Sequence, residues 1–259
     1  MLDWLHSLST LWLVIALALA VAIPSLLIYL IVTRLAVGER AAAFSAVSPG
    51  LLPPLALVFG LLVGFLAAEV WSDHSSAQQA VDREASAIRS VDILIGDFTP
   101  ADRQRMDTLI RSYIDDVIAR EWPAMADQNA SLLVASPQMT AAIELALHLP
   151  TSGSGQVLAQ KEIVTALENA LDARRQRIII SNSSVNAAKW LAVFATGLLT
   201  LVAIAFVHSG NRLTAAIAVT LFACAIMASV LMIGVQDRPF AGPFHVKPTP
   251  LEQVRPAPL

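Results

Sequence analysis

Four long apolar stretches, residues 11–32, 51–70, 187–207 and 213–235, divide this sequence, and charge occurs only near their margins, at Glu69 and Lys189. About 20 helical residues are enough to cross the hydrocarbon core of a bilayer. Inside it a backbone without water must satisfy its own hydrogen bonds, so each stretch is predicted to be a transmembrane helix. With 56% hydrophobic and only 14% charged residues, the 259-residue chain is too apolar to be one soluble domain. The segment before the first stretch holds Asp3 and no Lys or Arg, so that stretch is expected to be a span and not a cleaved signal. Pro24 lies within it and a kink is expected there. Pro53 and Pro54 fall in the first turn of the second stretch, where a missing amide proton costs least.

The fold class expected is an all-α membrane protein: four transmembrane helices in two pairs around a central helical cytoplasmic domain. The divisions are a first pair over 1–71, a polar domain over 72–186, a second pair over 187–235 and a proline-rich tail over 236–259. A polar connection through Arg34, Glu39 and Arg40 to Ser48-Pro49-Gly50 joins the first two spans. Ala77, Val81, Ile88, Val91 and Ile95 recur at helical steps, so the second span is predicted to run on into the polar domain. Thr99-Pro100 and Ser136-Pro137 are helix starts, and the first of these helices is predicted to stop at Trp122-Pro123. Val157, Val164, Leu171 and Ile178 fall seven apart with Leu167 between, predicting a long helix after the Pro150–Gly155 loop. Lys189 and Trp190 open the third span, and only residues 208–212 separate it from the fourth, a tight hairpin. Prolines 239, 243, 248, 250, 256 and 258 predict a tail that is an extended strap and cannot be a helix.

Two spans before the domain and two after it place the N-terminus, domain and tail on one side. Nine Lys and Arg residues near the membrane ends on that side (83, 89, 174, 175, 177, 189, 238, 247 and 255) face Arg34, Arg40 and Arg212 on the other. Positive charge stays in the cytoplasm, so a cytoplasmic domain is expected, although the first span, with its basic residues only after it, argues the reverse.

Several functions are disfavoured. A net charge of -3 with interleaved acids offers no face for nucleic acid. The single cysteine, Cys224, lies in an apolar run and is expected to be a packing residue. No two of the five histidines stand four apart, and Walker, dinucleotide and nucleophile-elbow motifs are missing, so no catalytic residue, cofactor or metal site is expected. Asp115-Asp116 read as a solvated helix edge. Gly60 and Gly64 form a small-xxx-small motif, which suits close helix packing, most simply within this set of four spans. Glu69 at the membrane margin reads equally as functional or as a snorkelling side chain. Glu121-Trp122-Pro123 reads equally as a plain helix terminus or as a docking corner whose carboxylate pairs with Arg174 or Arg177.

Pro53-Pro54, Gly60 and the exit Trp71 resemble the pore helix of bestrophin anion channels, and Asp237-Arg238-Pro239-Phe240-Ala241-Gly242 resembles the turn after their last membrane helix. Glu84-Ala85, Tyr113 with Val117, Glu121-Trp122-Pro123-Ala124-Met125 and Arg174 with Arg177 are similar to a bacterial bestrophin-like family. These anchors span roughly residues 55 to 251, and the Glu-Trp-Pro-x-Met and Asp-Arg-Pro-Phe segments are the most specific. The resemblance implies a homo-oligomer, a pentamer, in the inner membrane, passing small anions such as chloride along the second span. It places Leu57 and Leu61 at a narrow neck, Phe65 next, and Glu69 and Trp71 at the exit. A ring of apolar side chains can gate by dewetting. Two departures stand out: leucine replaces the aromatic neck residues usual in the family, and Pro243-Phe244-His245-Val246-Lys247 carries no carboxylate run for a calcium clasp. The alternative is a non-conducting scaffold or sensor in the bilayer, whose helical domain binds a partner.

Overall fold

The computed structural model describes residues 10–47, 50–134 and 136–257, so Asp3, Ser48, Pro49 and Pro258 lie outside the described residues. The described chain is 80% helical with no strand. Helix α1 is Thr10–Leu35, α2 Glu39–Val47, α3 Leu52–Leu94, α4 Pro100–Asp116, α5 Trp122–Ala126, α6 Pro137–Leu147, α7 Ser154–Ser181, α8 Ala187–Val207, α9 Arg212–Gln236 and α10 Thr249–Gln253. Four of these, α1, α3, α8 and α9, are long and apolar enough to cross a membrane. The chain divides into two compact units, Met1–Trp71 with Ser184–Asp237, and Ser72–Ser183 with Arg238–Leu259. Helix α3 passes without a break from the first unit into the second.

In the first unit α8 is the packing centre: 44% of its apolar window is buried, against 11% for α1. Its Gly197 brings helices close, because a Cβ there would stand 3.2 Å from the Phe59 ring of α3 and 3.3 Å from Ile226 of α9. Phe59 also meets Phe222, with ring centroids 5.4 Å apart. The connection between the first two spans holds α2, which packs on the end of α8 by stacking Phe44 on Phe206 at 4.8 Å. Ser209 Oγ donates to the Ala41 carbonyl, fixing the same corner. Cys224 is exposed, not a packing residue of this chain's interior.

In the second unit the α3 stripe Ala77, Val81, Ile88, Val91 and Ile95 is fully buried in the main cluster with Met106, Ile110, Ile114, Met139 and Ile163. Thr99 caps α4 by accepting from the Asp102 amide at 3.2 Å. Ser136 precedes Pro137 but makes no capping bond. Two expectations are corrected. The helix does not stop at Trp122-Pro123: a π-turn over Val117–Glu121 lets the Trp122 amide reach back to the Val117 carbonyl, which accommodates the proline, and α5 continues to Ala126. The long helix after the loop forms as expected, α7; Ala159, Ile163, Ala166, Leu167, Ala170, Arg174, Arg177 and Ile178 are buried along it, Val164 and Leu171 pack partly buried on the same core, and Val157 is exposed. The tail includes one helical turn, α10, because Pro250 occupies its first turn, where proline is tolerated.

The Gly197 contact yields a prediction. Replacing Gly197 with Leu forces Phe59 and Ile226 apart and should cost about 1–3 kcal/mol, read as a lower midpoint in thermal unfolding of the detergent-solubilised protein.

Candidate functional site

Helix α3 has two faces within the first unit. Phe59, Leu66 and Val70, at steps of seven and four, are buried against the other spans. The opposite face carries Leu57, Leu61 and Phe65, which are 64%, 50% and 71% exposed. Gly60 and Gly64 flank that stripe, and a Cβ at either would meet nothing within 4 Å. Among the described residues the small-xxx-small motif is therefore not used for packing. Glu69 is half-buried and turns to α8, where the Lys189 ammonium lies 2.5 and 2.6 Å from its two carboxylate oxygens. Trp71 is 47% exposed. Leu57, Leu61 and Phe65 thus lie on one uncovered line, whereas Glu69 is held beside it by a cation.

The second unit encloses an ion network. Glu84 falls within the buried α3 stripe and is itself fully buried, so its carboxylate requires partners. Arg177 of α7 supplies them, donating from Nε to Glu84 Oε2 at 2.8 Å and from Nη2 to Oε1 at 3.2 Å. Tyr113 of α4 donates its hydroxyl to Glu84 Oε1 at 2.5 Å. The same Arg177 Nη2 reaches Glu121 Oε2 at 3.0 Å, Nη1 faces the Met125 sulfur at 3.3 Å, and the guanidinium lies 5.2 Å from the Trp122 ring centroid. Arg174 donates from Nε to Glu121 Oε1 at 2.7 Å and from Nη2 to the Val134 carbonyl at 3.0 Å. The π-turn adds one residue to the helical repeat, a rotation of about 100°, and Glu121 within it meets both arginines.

The turn after the fourth span docks on this corner. Asp237, the last residue of the first unit, accepts from the Val185 amide at 2.9 Å. Beyond Arg238, Pro239 accepts from the Val246 amide at 2.8 Å, and Gly242 takes φ +80, a left-handed turn that favours glycine. The turn brings Phe240, buried, edge-on to Trp122 with centroids 5.6 Å apart, and the indole N–H donates to the Val246 carbonyl at 3.3 Å. Arg255 pairs with Asp115 at 2.6 Å, and Asp116 pairs with Arg120.

Electrostatically the network is a clamp of opposite charges. Burial first, and then the Glu84 charge, raise the Tyr113 hydroxyl well above its ordinary range. Burial opposes the Arg177 charge, but Glu84, Tyr113 and Glu121 outweigh it and raise that group too. Both stay protonated around neutral pH. The acid inside the α3 stripe was the sequence signal for this cluster, since a carboxylate among buried apolar positions needs a cation. The close approach at Gly197 had no such signal.

A family model for the bestrophin-like domain matches residues 19–251, spanning both the uncovered α3 face and the ion network. The chain belongs to the bestrophin-like family. A comparison with curated protein sequences finds no match. Among solved structures, this bestrophin-like chain is similar to two point variants of a bacterial bestrophin homologue from Klebsiella pneumoniae. One aligns with a TM-score of 0.68 at 12% identity, covering 91% of this chain and 97% of that one. The other aligns with a TM-score of 0.63 at 13% identity, covering 92% and 96%. At such identities the likeness is one of fold. The bestrophin-like chain is thus an all-α membrane protein with four transmembrane helices.

Two predictions follow the network's geometry. Arg177→Met leaves Glu84 buried without its cation and should cost about 3–5 kcal/mol, whereas Arg177→Met with Glu84→Leu should recover most of that loss. Denaturant unfolding followed by tryptophan fluorescence measures both. For pH, the folded-state hydroxyl of Tyr113 titrates above the unfolded value of 10.0, so its contribution is complete below pH 10 and is lost as pH climbs toward the folded value. Tyr113→Phe should therefore flatten the fall in stability above pH 10.

Proposed function

We propose that this protein is a subunit of a homo-oligomeric anion channel in the bacterial inner membrane, with α3 lining the conduction path. One observation carries the reading: α3 leaves a line of apolar side chains and glycines uncovered while its other face is packed. Helix α1 makes a useful contrast, because its large exposed apolar side chains are all Leu or Ile and it contains no glycine. That is the surface lipid favours. Copies arranged around an axis would bring the Leu57, Leu61 and Phe65 positions together as successive apolar rings, with Gly60 and Gly64 leaving room for close approach. Bestrophins are pentameric anion channels, so the family favours five copies and a small anion such as chloride. Permeation would be passive and would use no catalytic residue.

In this reading residues 1–71 and 187–235 form the membrane part, 72–186 the helical domain and 236–259 the tail. Glu69 and Trp71 mark the exit of the path. Glu121, Trp122, Pro123, Arg174, Arg177, Arg238, Pro239, Phe240 and Gly242 hold the helical domain together, and Asp237 ends the fourth span. The excess of Lys and Arg on the domain side supports a cytoplasmic N-terminus, domain and tail.

A second reading, a non-conducting scaffold or sensor, is favoured by the state of Glu69. It is the carboxylate nearest the path, and Lys189 engages it. Anion flux into proteoliposomes, with assembly size recorded on the same sample, separates the two. Leu57→Ala with Leu61→Ala should widen the neck and raise flux several-fold; unchanged flux in folded, correctly assembled protein overturns the α3 path.

A further inference from the structure

In the second unit the connection after α5 breaks a local rule. The Val134 amide donates to the Ser131 carbonyl at 3.3 Å and closes a turn with Leu132 and Leu133 at its centre. Ser131 Oγ steadies it by accepting from the Leu133 amide at 3.2 Å. Turn centres favour Gly, Pro, Asn, Asp or Ser, and the residues leading into this one, Asp127, Gln128, Asn129 and Ser131, are polar. Yet Leu133 is 94% exposed, with Leu132 and Val134 at 47% and 61%. The connections over residues 95–99 and 148–153 do the opposite and turn Ile95, Phe98 and Leu149 inward.

Hydrogen bonds within the second unit fix the place of this turn. Gln128 Nε2 donates to the Ser183 carbonyl at 3.4 Å, and Asn182 Nδ2 donates to the Ala130 carbonyl at 3.0 Å. Ser183 Oγ in turn donates to Asp73 Oδ2 at 3.1 Å. Ser183 stands just before the third span, which starts at Ala187, and Asp73 follows Trp71 on α3. From Trp71 to Asp73 the helix advances about 3 Å, whereas the headgroup layer on each side of the hydrocarbon core is about 5–8 Å thick. The leucine turn is therefore bonded to the end of the unit at which the chain enters the bilayer. The other two connections lie at the far end: α3 runs on from Asp73 to Leu94, about 32 Å, and Gln156 Nε2, just past the 148–153 connection, donates to the Asp97 carbonyl at 2.9 Å.

Three apolar side chains offer far less than the roughly 800 Å² per partner that a stable protein interface buries. A short apolar tip at headgroup depth suits lipid, whose interfacial layer receives such groups without a shaped partner. No Lys or Arg occurs between residues 127 and 138, so the contact requires no anionic headgroup. We propose that Leu132, Leu133 and Val134 insert into the interfacial layer of the bilayer and fasten the helical unit to the lipid surface. Arg174 Nη2 holds the Val134 carbonyl at 3.0 Å and Arg174 Nε holds Glu121, so the inserted turn is tied to the ion network. The proposal rests on the membrane-spanning fold and not on conduction.

The test is the collision of a nitroxide with oxygen, which concentrates in lipid, and with a nickel chelate, which stays in water. Leu133→Cys in a Cys224→Ala background carries the label, and its exposed position leaves the core untouched. Thr151→Cys, exposed in a far connection, is the reference in water. With the full chain in phosphatidylcholine nanodiscs, the ratio of oxygen to nickel collisions should be several-fold higher at position 133 than at 151. Equal ratios at the two positions would put the turn in water and overturn the proposal. Low collision rates with both reagents at position 133 would mean that a second copy covers the turn, and would overturn it as well.

Discussion

A guanidinium cannot shed its charge inside a protein, so burying Arg177 commits its surroundings to answering it. In the helical unit the answer comes from α3 through Glu84, from the π-turn through Glu121, and from α5 through Met125 and the face of Trp122. Tyr113 of α4 completes the carboxylate, and Trp122 in turn receives Phe240 and the Val246 carbonyl of the tail. Such a cluster adds little net stability relative to a well-packed apolar core, because desolvating two arginines and two acids offsets most of their attraction. What it supplies is register. A helix that slid or rotated by one residue would strand a buried charge, whereas a slipped apolar stripe would lose only packing.

The membrane unit obeys a different solvent. Its helices satisfy their own backbones, and hydroxyls within them return to their own helix, as Thr196 does to Ala192 and Thr200 to Thr196. With polar pairing scarce, close approach provides the specificity, which is why one glycine, Gly197, sets the spacing of three spans. The same rule gives meaning to the glycines that meet nothing. Among the described residues nothing stands within 4 Å of a Cβ at Gly60 or Gly64, so the α3 face they share with Leu57, Leu61 and Phe65 is the surface on which the channel reading depends.

The readings that held concern local causes. Each span was legible because bilayer thickness imposes length and apolarity on one continuous segment. Thr99 was legible because a capping bond reaches only three residues. The α3 stripe was legible because its period is helical from Ala77 to Ile95. The misread elements depend on a neighbour. Trp122-Pro123 looked like a stop, yet a wide turn absorbed the proline where docking on Arg177 rewards continuation. The tail read as an extended strap, yet it holds one helical turn, and Phe240, Val246 and Leu251 are part of the helical core.

By itself the sequence determined that this chain crosses a membrane four times with a helical domain between the pairs, because hydropathy and helix capping act along the chain. Resemblance to the family had singled out Glu84, Tyr113, Glu121, Arg174 and Arg177. Only the tertiary structure decided that these five form one buried network, that Glu69 is bound to Lys189, and which face of α3 stays uncovered. Those outcomes are pairings between residues 29 to 120 positions apart, as with Tyr113 to Glu84 and Lys189 to Glu69. A pairing at that separation is fixed by how helices pack, and no local period in the sequence encodes it.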